Sequence, residues 1–115
     1  MHLISFLKKR EYIDNIKILD FKEFKYGYYI KLQCIFINNF ECHIKEYVDE
    51  NYRNYSYHLQ NSESKMIIRW DNAPHHTNIN TFPHHIHFNG EILDSYEITY
   101  EDIFSKIENF LTDIH

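Results

Sequence analysis

YSYHLQ, from Tyr55 to Gln60, and MIIRWD, from Met66 to Asp71, decide how this chain folds. Both are short runs in which apolar and polar residues alternate, the period of a half-buried strand. The polar residues Asn61-Ser62-Glu63-Ser64 separate them, so they read as a hairpin that pairs Gln60 with Lys65. In that register Tyr57 faces Ile68 and Leu59 faces Met66. Tyr55, Tyr57, Leu59, Met66, Ile68 and Trp70 share an apolar face. Ser56, His58, Ile67, Arg69 and Asp71 share the other. One dry face and one wet, chemistry-bearing face is the pattern of an antiparallel sheet packed on a single side.

Downstream, Asn72-Ala73-Pro74 ends the strand because proline has no N–H for the ladder. His75 to Pro83 reads as an ordered connector with Phe82 reaching into the core. His84 to Phe88 reads as the last strand, with His85 and His87 on one face and Ile86 and Phe88 on the other. Asn89-Gly90 marks a tight turn. Thr99 to Ile114 reads as a helix, with Thr99 as N-cap, Glu101 and Asp102 in the first turn, and an apolar stripe of Ile103, Phe104, Ile107, Phe110, Leu111 and Ile114.

Upstream, Leu3 to Tyr12 suits a short helix and Ile16 to Phe24 a strand, with a turn at Lys25-Tyr26-Gly27. Tyr28 to Ile37 and Phe40 to Tyr47 form a second hairpin, joined by Asn38-Asn39. A two-residue loop pairs Ile37 with Phe40, sets Lys31 against Glu46 and sends Cys34 and Cys42 to opposite faces, which excludes a disulfide between them. A one-residue slip would reverse that conclusion. Asp49 to Asn54 is a polar loop. The fold expected is α+β: one domain over residues 1–115, a curved antiparallel β-sheet of five to six strands packed against the C-terminal α-helix, and a short N-terminal helix.

Composition narrows the function. With 115 residues, 43% hydrophobic and 17% aromatic, the chain carries enough apolar mass for one core and too much for a disordered segment. A formal charge of −5 argues against nucleic-acid binding through bulk positive charge but leaves room for a local cationic cleft. No apolar run is long enough to span a bilayer, and MHLISFLKKREY places its charges after its apolar part, the reverse of a secretory signal. A soluble cytoplasmic protein is the expectation. Lys8-Lys9-Arg10 reads as a solvated helix end, and the acidic stretch Glu46 to Glu50 could dock a basic partner.

Six of the nine histidines fall between Tyr55 and Phe88: His58, His75, His76, His84, His85 and His87. Imidazoles titrate near neutral pH and serve as proton donors, proton acceptors or metal ligands. Three readings stand. His58, Arg69, Asp71, His75, His76, His85 and His87 could form a metal-free acid–base site. In it two imidazoles act as base and acid, Arg69 clamps a scissile phosphate, and Asp71 orients a ring or the guanidinium. Alternatively His75, His76, His85 and His87 supply ligands to a divalent metal. Or the histidines bond one another and the backbone, with Arg69 and Asp71 an ordinary surface ion pair. Tyr47 and Tyr52, near polar loops, could stack a base, while Tyr55 and Tyr57 suit core packing.

YSYH (Tyr55 to His58), RWDNAPHH (Arg69 to His76) and TFPHHIH (Thr81 to His87) together resemble the TumE family of toxins. KEYVDE (Lys45 to Glu50) and NGEI (Asn89 to Ile92) match in place. Trp70 stands where the family usually has Tyr, and Ile86 where Lys is common. The resemblance implies the toxin of a type II toxin–antitoxin system, with a TumA-like helix-turn-helix antitoxin as partner. Combined with the histidine site, it gives the leading expectation of a metal-independent endoribonuclease with RNA as substrate and no cofactor. A metal-dependent hydrolase or transferase acting on nucleotides or nucleic acid is the first alternative. A non-catalytic inhibitory binding module is the second. Self-association into a homodimer is left open.

Overall fold

A computed structural model describes residues 1–112. A short helix α1 (His2–Lys8) leads into seven strands: β1 (Ile13–Phe24), β2 (Gly27–Phe36), β3 (Glu41–Val48), β4 (Arg53–Gln60), β5 (Met66–Asp71), β6 (His85–Phe88) and β7 (Glu91–Asp94). Helix α2 (Tyr100–Thr112) follows. The strands form one curved, open antiparallel sheet in the order β1-β2-β3-β4-β5-β6-β7. The α+β class therefore stands, with seven strands where five to six were expected. The extra one is β7, which pairs with β6, so His84 to Phe88 is not the last strand. Asn89 (φ 52) and Gly90 (φ 76) turn this hairpin through the left-handed conformation that its tight loop demands.

Alternation sorts the sheet into two faces. Ile30, Leu32, Cys34, Phe36, Cys42, Ile44, Tyr55, Tyr57, Leu59, Ile68 and Trp70 are all buried on one side, in one cluster with Leu3 and Leu7 of α1 and Ile103, Phe104 and Ile107 of α2. Phe104 meets both Phe36 and Tyr57 edge-on or tilted, and Phe110 reaches Phe88. Thr99 caps α2, its Oγ1 accepting from Asp102 N at 3.3 Å. The part of the expected helix at Ile114 lies outside the described residues. Helix α1 is shorter than expected: it ends at Lys8, and the backbone turns back through bonds from Lys9 and Arg10 to the carbonyls of Phe6 and Leu7. Gly27 opens β2 where Val48 crosses; a Cβ there would lie 1.9 Å from the Val48 carbonyl oxygen.

Two hairpin registers differ from expectation, with opposite consequences. Between β2 and β3 the loop holds three residues rather than two. Asn39 N donates to Phe36 O, Phe36 N donates to Phe40 O, and Asn39 sits at φ 68, the arrangement of a turn closed by a bulge. The pairing slips by one. Lys31 therefore faces Lys45 rather than Glu46, and Cys34 faces Cys42 on the same, buried side. Both cysteines are free thiols, and burial pushes the Cys34 thiol up to about 12. Between β4 and β5 the shift is two: Tyr57 faces Trp70 and Leu59 faces Ile68. Asn61 sets it by closing the loop on itself, its Oδ1 accepting from Glu63 N and Lys65 N. A shift of two leaves every residue on its expected face, but a bulge beside Leu59/Gln60 leaves Met66 exposed instead of in the core. Phe82 is likewise 45% exposed rather than plugged into the core. No helix among the described residues is long and apolar enough to cross a membrane.

Candidate functional site

Strands β5 and β6 place the chemistry. Arg69 pairs with His87 and Asp71 with His85, so all four side chains rise from the wet face on adjacent strands. Asn72 anchors the end of β5: its Oδ1 accepts from Tyr55 N at 2.9 Å and its Nδ2 donates to Arg53 O at 2.6 Å. The chain then leaves the sheet and brings His75 and His76 back over it. Thr81 ties the far end of this excursion, donating from Oγ1 to His84 O and accepting from Ser95 N, both at 2.8 Å.

Asp71 is the hub. It is 3% exposed. Its Oδ1 lies 2.8 Å from His85 Nε2 and accepts from Ala73 N at 3.0 Å. Its Oδ2 lies 2.9 Å from Arg69 Nε and 3.4 Å from His87 Nε2. His85 is 1% exposed, and its Nδ1 donates to Pro83 O at 2.8 Å. That bond fixes Nε2 as the nitrogen that meets Asp71, and also His87 Nε2 at 3.0 Å. Arg69 is held less tightly. Its Nε is buried but makes no hydrogen bond, because the N–H is not aimed at Asp71; the contact is an ion pair by distance alone. The side chain stays 41% exposed.

His76 completes the group, its ring 4.8 Å from that of His85 and 5.5 Å from that of His87. Arg69, Asp71, Ala73, His75, His76, His85 and His87 line a pocket of about 200 Å³. Burial lowers the pKa of His87 from 6.5; Asp71 opposes the shift, while His85, Arg69 and His76 add to it. The ring is thereby biased toward its neutral, proton-accepting form. His58 is also lowered, first by burial and then by His43 and Arg69.

Of the seven residues expected in an acid–base site, six line this pocket. His58 does not: it faces Arg69 from β4 and opens onto a neighbouring groove. His84 lies outside too, its Nδ1 2.9 Å from Tyr55 Oη and its ring stacked on that of Tyr55. Of the four expected metal ligands, His76, His85 and His87 have ligand nitrogens within 4.8 Å of one another; His75 lines the pocket but is not in that set. The Arg69–Asp71 pair is no ordinary surface pair, since its carboxylate is buried and shared with two imidazoles. Sequence reasoning missed Pro83 O, which orients His85. It also missed His43, which lies opposite His58 across β3 and β4. A roomier cavity of about 420 Å³, bordered by Leu3, Phe21 and Tyr28, lies away from these groups.

Searches of curated proteins and of solved structures found no match. A family model described as "Toxin TumE" matches residues 3–115.

Proposed function

The chain belongs to the TumE toxin family, and from that premise we propose that it is a metal-independent endoribonuclease and the toxin of a pair with a TumA-like antitoxin. The observation that carries the nuclease reading is the sharing of one buried carboxylate, Asp71, by His85, His87 and Arg69, with His76 closing the pocket. Cleavage of RNA by its own 2′-hydroxyl needs a base, an acid and a cation on the phosphate.

His87 is the base. Its Nε2 is engaged toward Asp71, which leaves Nδ1 as the lone pair that takes the 2′-hydroxyl proton. The 2′-oxygen attacks phosphorus, and the 5′-oxygen leaves with a proton from His76 in its charged form. The products are a 2′,3′-cyclic phosphate and a 5′-hydroxyl. Arg69, with an unspent N–H and an exposed guanidinium, carries the charge that builds on phosphorus. Asp71 and His85 touch each other rather than substrate, and position His87 and Arg69.

Expression of the wild-type chain in cells, followed by mapping of RNA ends, tests the reading. New 5′-hydroxyl ends that vanish with Arg69→Ala support it. Intact RNA in growth-arrested cells sinks it. A helix-turn-helix protein encoded in the adjoining reading frame, able to neutralise toxicity, tests the partner.

One observation favours a second reading. His76, His85 and His87 gather their nitrogens within 4.8 Å, and the bond from His85 Nδ1 to Pro83 O is the support that a zinc-bound imidazole usually has. Tetrahedral zinc holds nitrogens about 3.4 Å apart, so the rings would have to close further. Stoichiometric metal in the purified protein, with activity lost to chelator, would establish this reading in place of the first.

A further inference from the structure

The wet face carries a second groove beside the histidine pocket. It holds about 240 Å³, and Arg69 belongs to both. Its polar lining is Lys31, Lys45, His43, His58, Gln33 and Ser56, besides Arg69; no carboxylate lines it, in a chain whose formal charge is −5.

The registers show how the lysines, the arginine and the imidazoles are set. Lys31 lies directly opposite Lys45. His43 lies opposite His58, with ring centroids 5.8 Å apart, His58 opposite Arg69, and Arg69 opposite His87. Like charges directly opposed across a ladder destabilise it unless a counter-charge is supplied. Glu41 reaches His43 at 3.1 Å and Asp20 flanks Lys31. Arg69 has Asp71, and among the described residues Lys45 has no ion pair. Two residues beyond Lys45 on the same face stands Tyr47, against Tyr52 at 6.3 Å and Phe24 at 5.8 Å. The Tyr47 hydroxyl is tied to Asp49 Oδ2 at 2.8 Å, which fixes its ring, and Tyr52 is 54% exposed.

We infer that this groove is a substrate-strand subsite: it holds the phosphates of a single-stranded RNA next to the scissile one, across β2 to β4, with a base on the Tyr47–Tyr52 pair. Phosphates supply the missing counter-charge, and exposed aromatic rings bind unpaired bases whatever their identity. The inference rests on the nuclease reading for its substrate, though the binding surface is testable by itself.

The test is fluorescence anisotropy with a labelled single-stranded oligonucleotide carrying 2′-deoxy residues, so that binding is read without cleavage. Against wild type, Lys31→Glu/Lys45→Glu should weaken binding roughly tenfold or more and cut the salt slope by about 1.4, the share of two phosphate contacts on a single strand. Tyr52→Ala should weaken it about tenfold. Both lysines are exposed, and circular dichroism checks the fold. A Lys8→Glu/Lys9→Glu chain, with the same charge change at the C-terminal end of α1, should bind as wild type does. Equal loss in the two double variants, unchanged binding in the groove variant, or equally tight binding of a duplex overturns the inference. Groove-dependent binding without RNA cleavage by wild type would leave the subsite standing and remove the nuclease.

Discussion

Two buried carboxylates, Glu46 and Asp71, each 3% exposed, hold an arginine on opposite sides of the same sheet. Glu46 is surrounded by groups whose protons stay in place near neutral pH. It accepts from Tyr57 Oη, from Tyr28 Oη at 3.2 Å and from Arg53 Nε at 3.1 Å. Burial, then Glu46 itself, drives both tyrosines far above their ordinary range. Arg53 is engaged on several sides, reaching Glu97 and Ile98 O besides Glu46 and lying 4.2 Å over the Tyr55 ring. Asp71 has imidazoles where Glu46 has phenols, and Arg69 keeps an N–H with nothing to bond. The same kind of charge is locked into the architecture in one place and left exchangeable in the other. A buried ion pair marks chemistry only when its partners can change protonation and its cation is left partly free.

Substitutions can break that contrast. Glu46→Ala strands the mostly buried Arg53 charge and should cost about 3–5 kcal/mol in a urea titration. An unchanged midpoint would mean the Glu46 cluster is not structural. Arg69→Ala should reverse the pattern: stability near wild type, with RNA cleavage and toxicity falling about 10²–10³-fold. Retained toxicity in the well-folded variant would remove Arg69 from the site. His87→Gln should lower cleavage about 10²-fold and erase the acidic limb of the pH–rate profile. In wild type that limb should lie below pH 6.5, because the ring is a base only when neutral and its pKa is lowered.

Stability should also respond to pH. His58 and His87 have folded-state pKa values below 6.5, so the unfolded chain binds more protons in that window. Stability is full above 6.5 and declines as pH falls through the lowered values. A His58→Gln/His87→Gln chain should show a flatter profile; an identical slope would locate the pH response elsewhere. The smallest effect belongs to His84→Ala. That ring bonds Tyr55 outside the pocket, so the change should cost about 1 kcal/mol and leave toxicity intact.

Face alternation was legible because it depends on parity alone. The split of Tyr55 to Asp71 survived a two-residue error in register, and with it the convergence of Arg69, Asp71, His85 and His87. The β2–β3 hairpin shows the limit. Asn38-Asn39 signals a turn but not its length, and one further loop residue set Lys31 against Lys45 instead of Glu46 and Cys34 against Cys42. The cationic groove was therefore invisible in the sequence. So was β7, whose EILD has only four residues and follows Asn89-Gly90 without a long apolar run. Phe82 and Met66 misled for a shared reason: an apolar residue beside a loop or bulge need not face the core.

The strand order has a consequence during synthesis. Every strand lies beside its neighbours in the chain, so each hairpin can close soon after it leaves the ribosome, without waiting for a distant partner. The helix that covers the apolar side comes after all seven strands. A nascent chain halted before Tyr100 would lack Phe104 and Phe110, leaving Phe36, Tyr57 and Phe88 less covered and more open to water and to chaperones. The apolar side is thus fully covered only when α2 has been translated, which leaves an interval in which a chaperone or a protease can engage the unfinished chain.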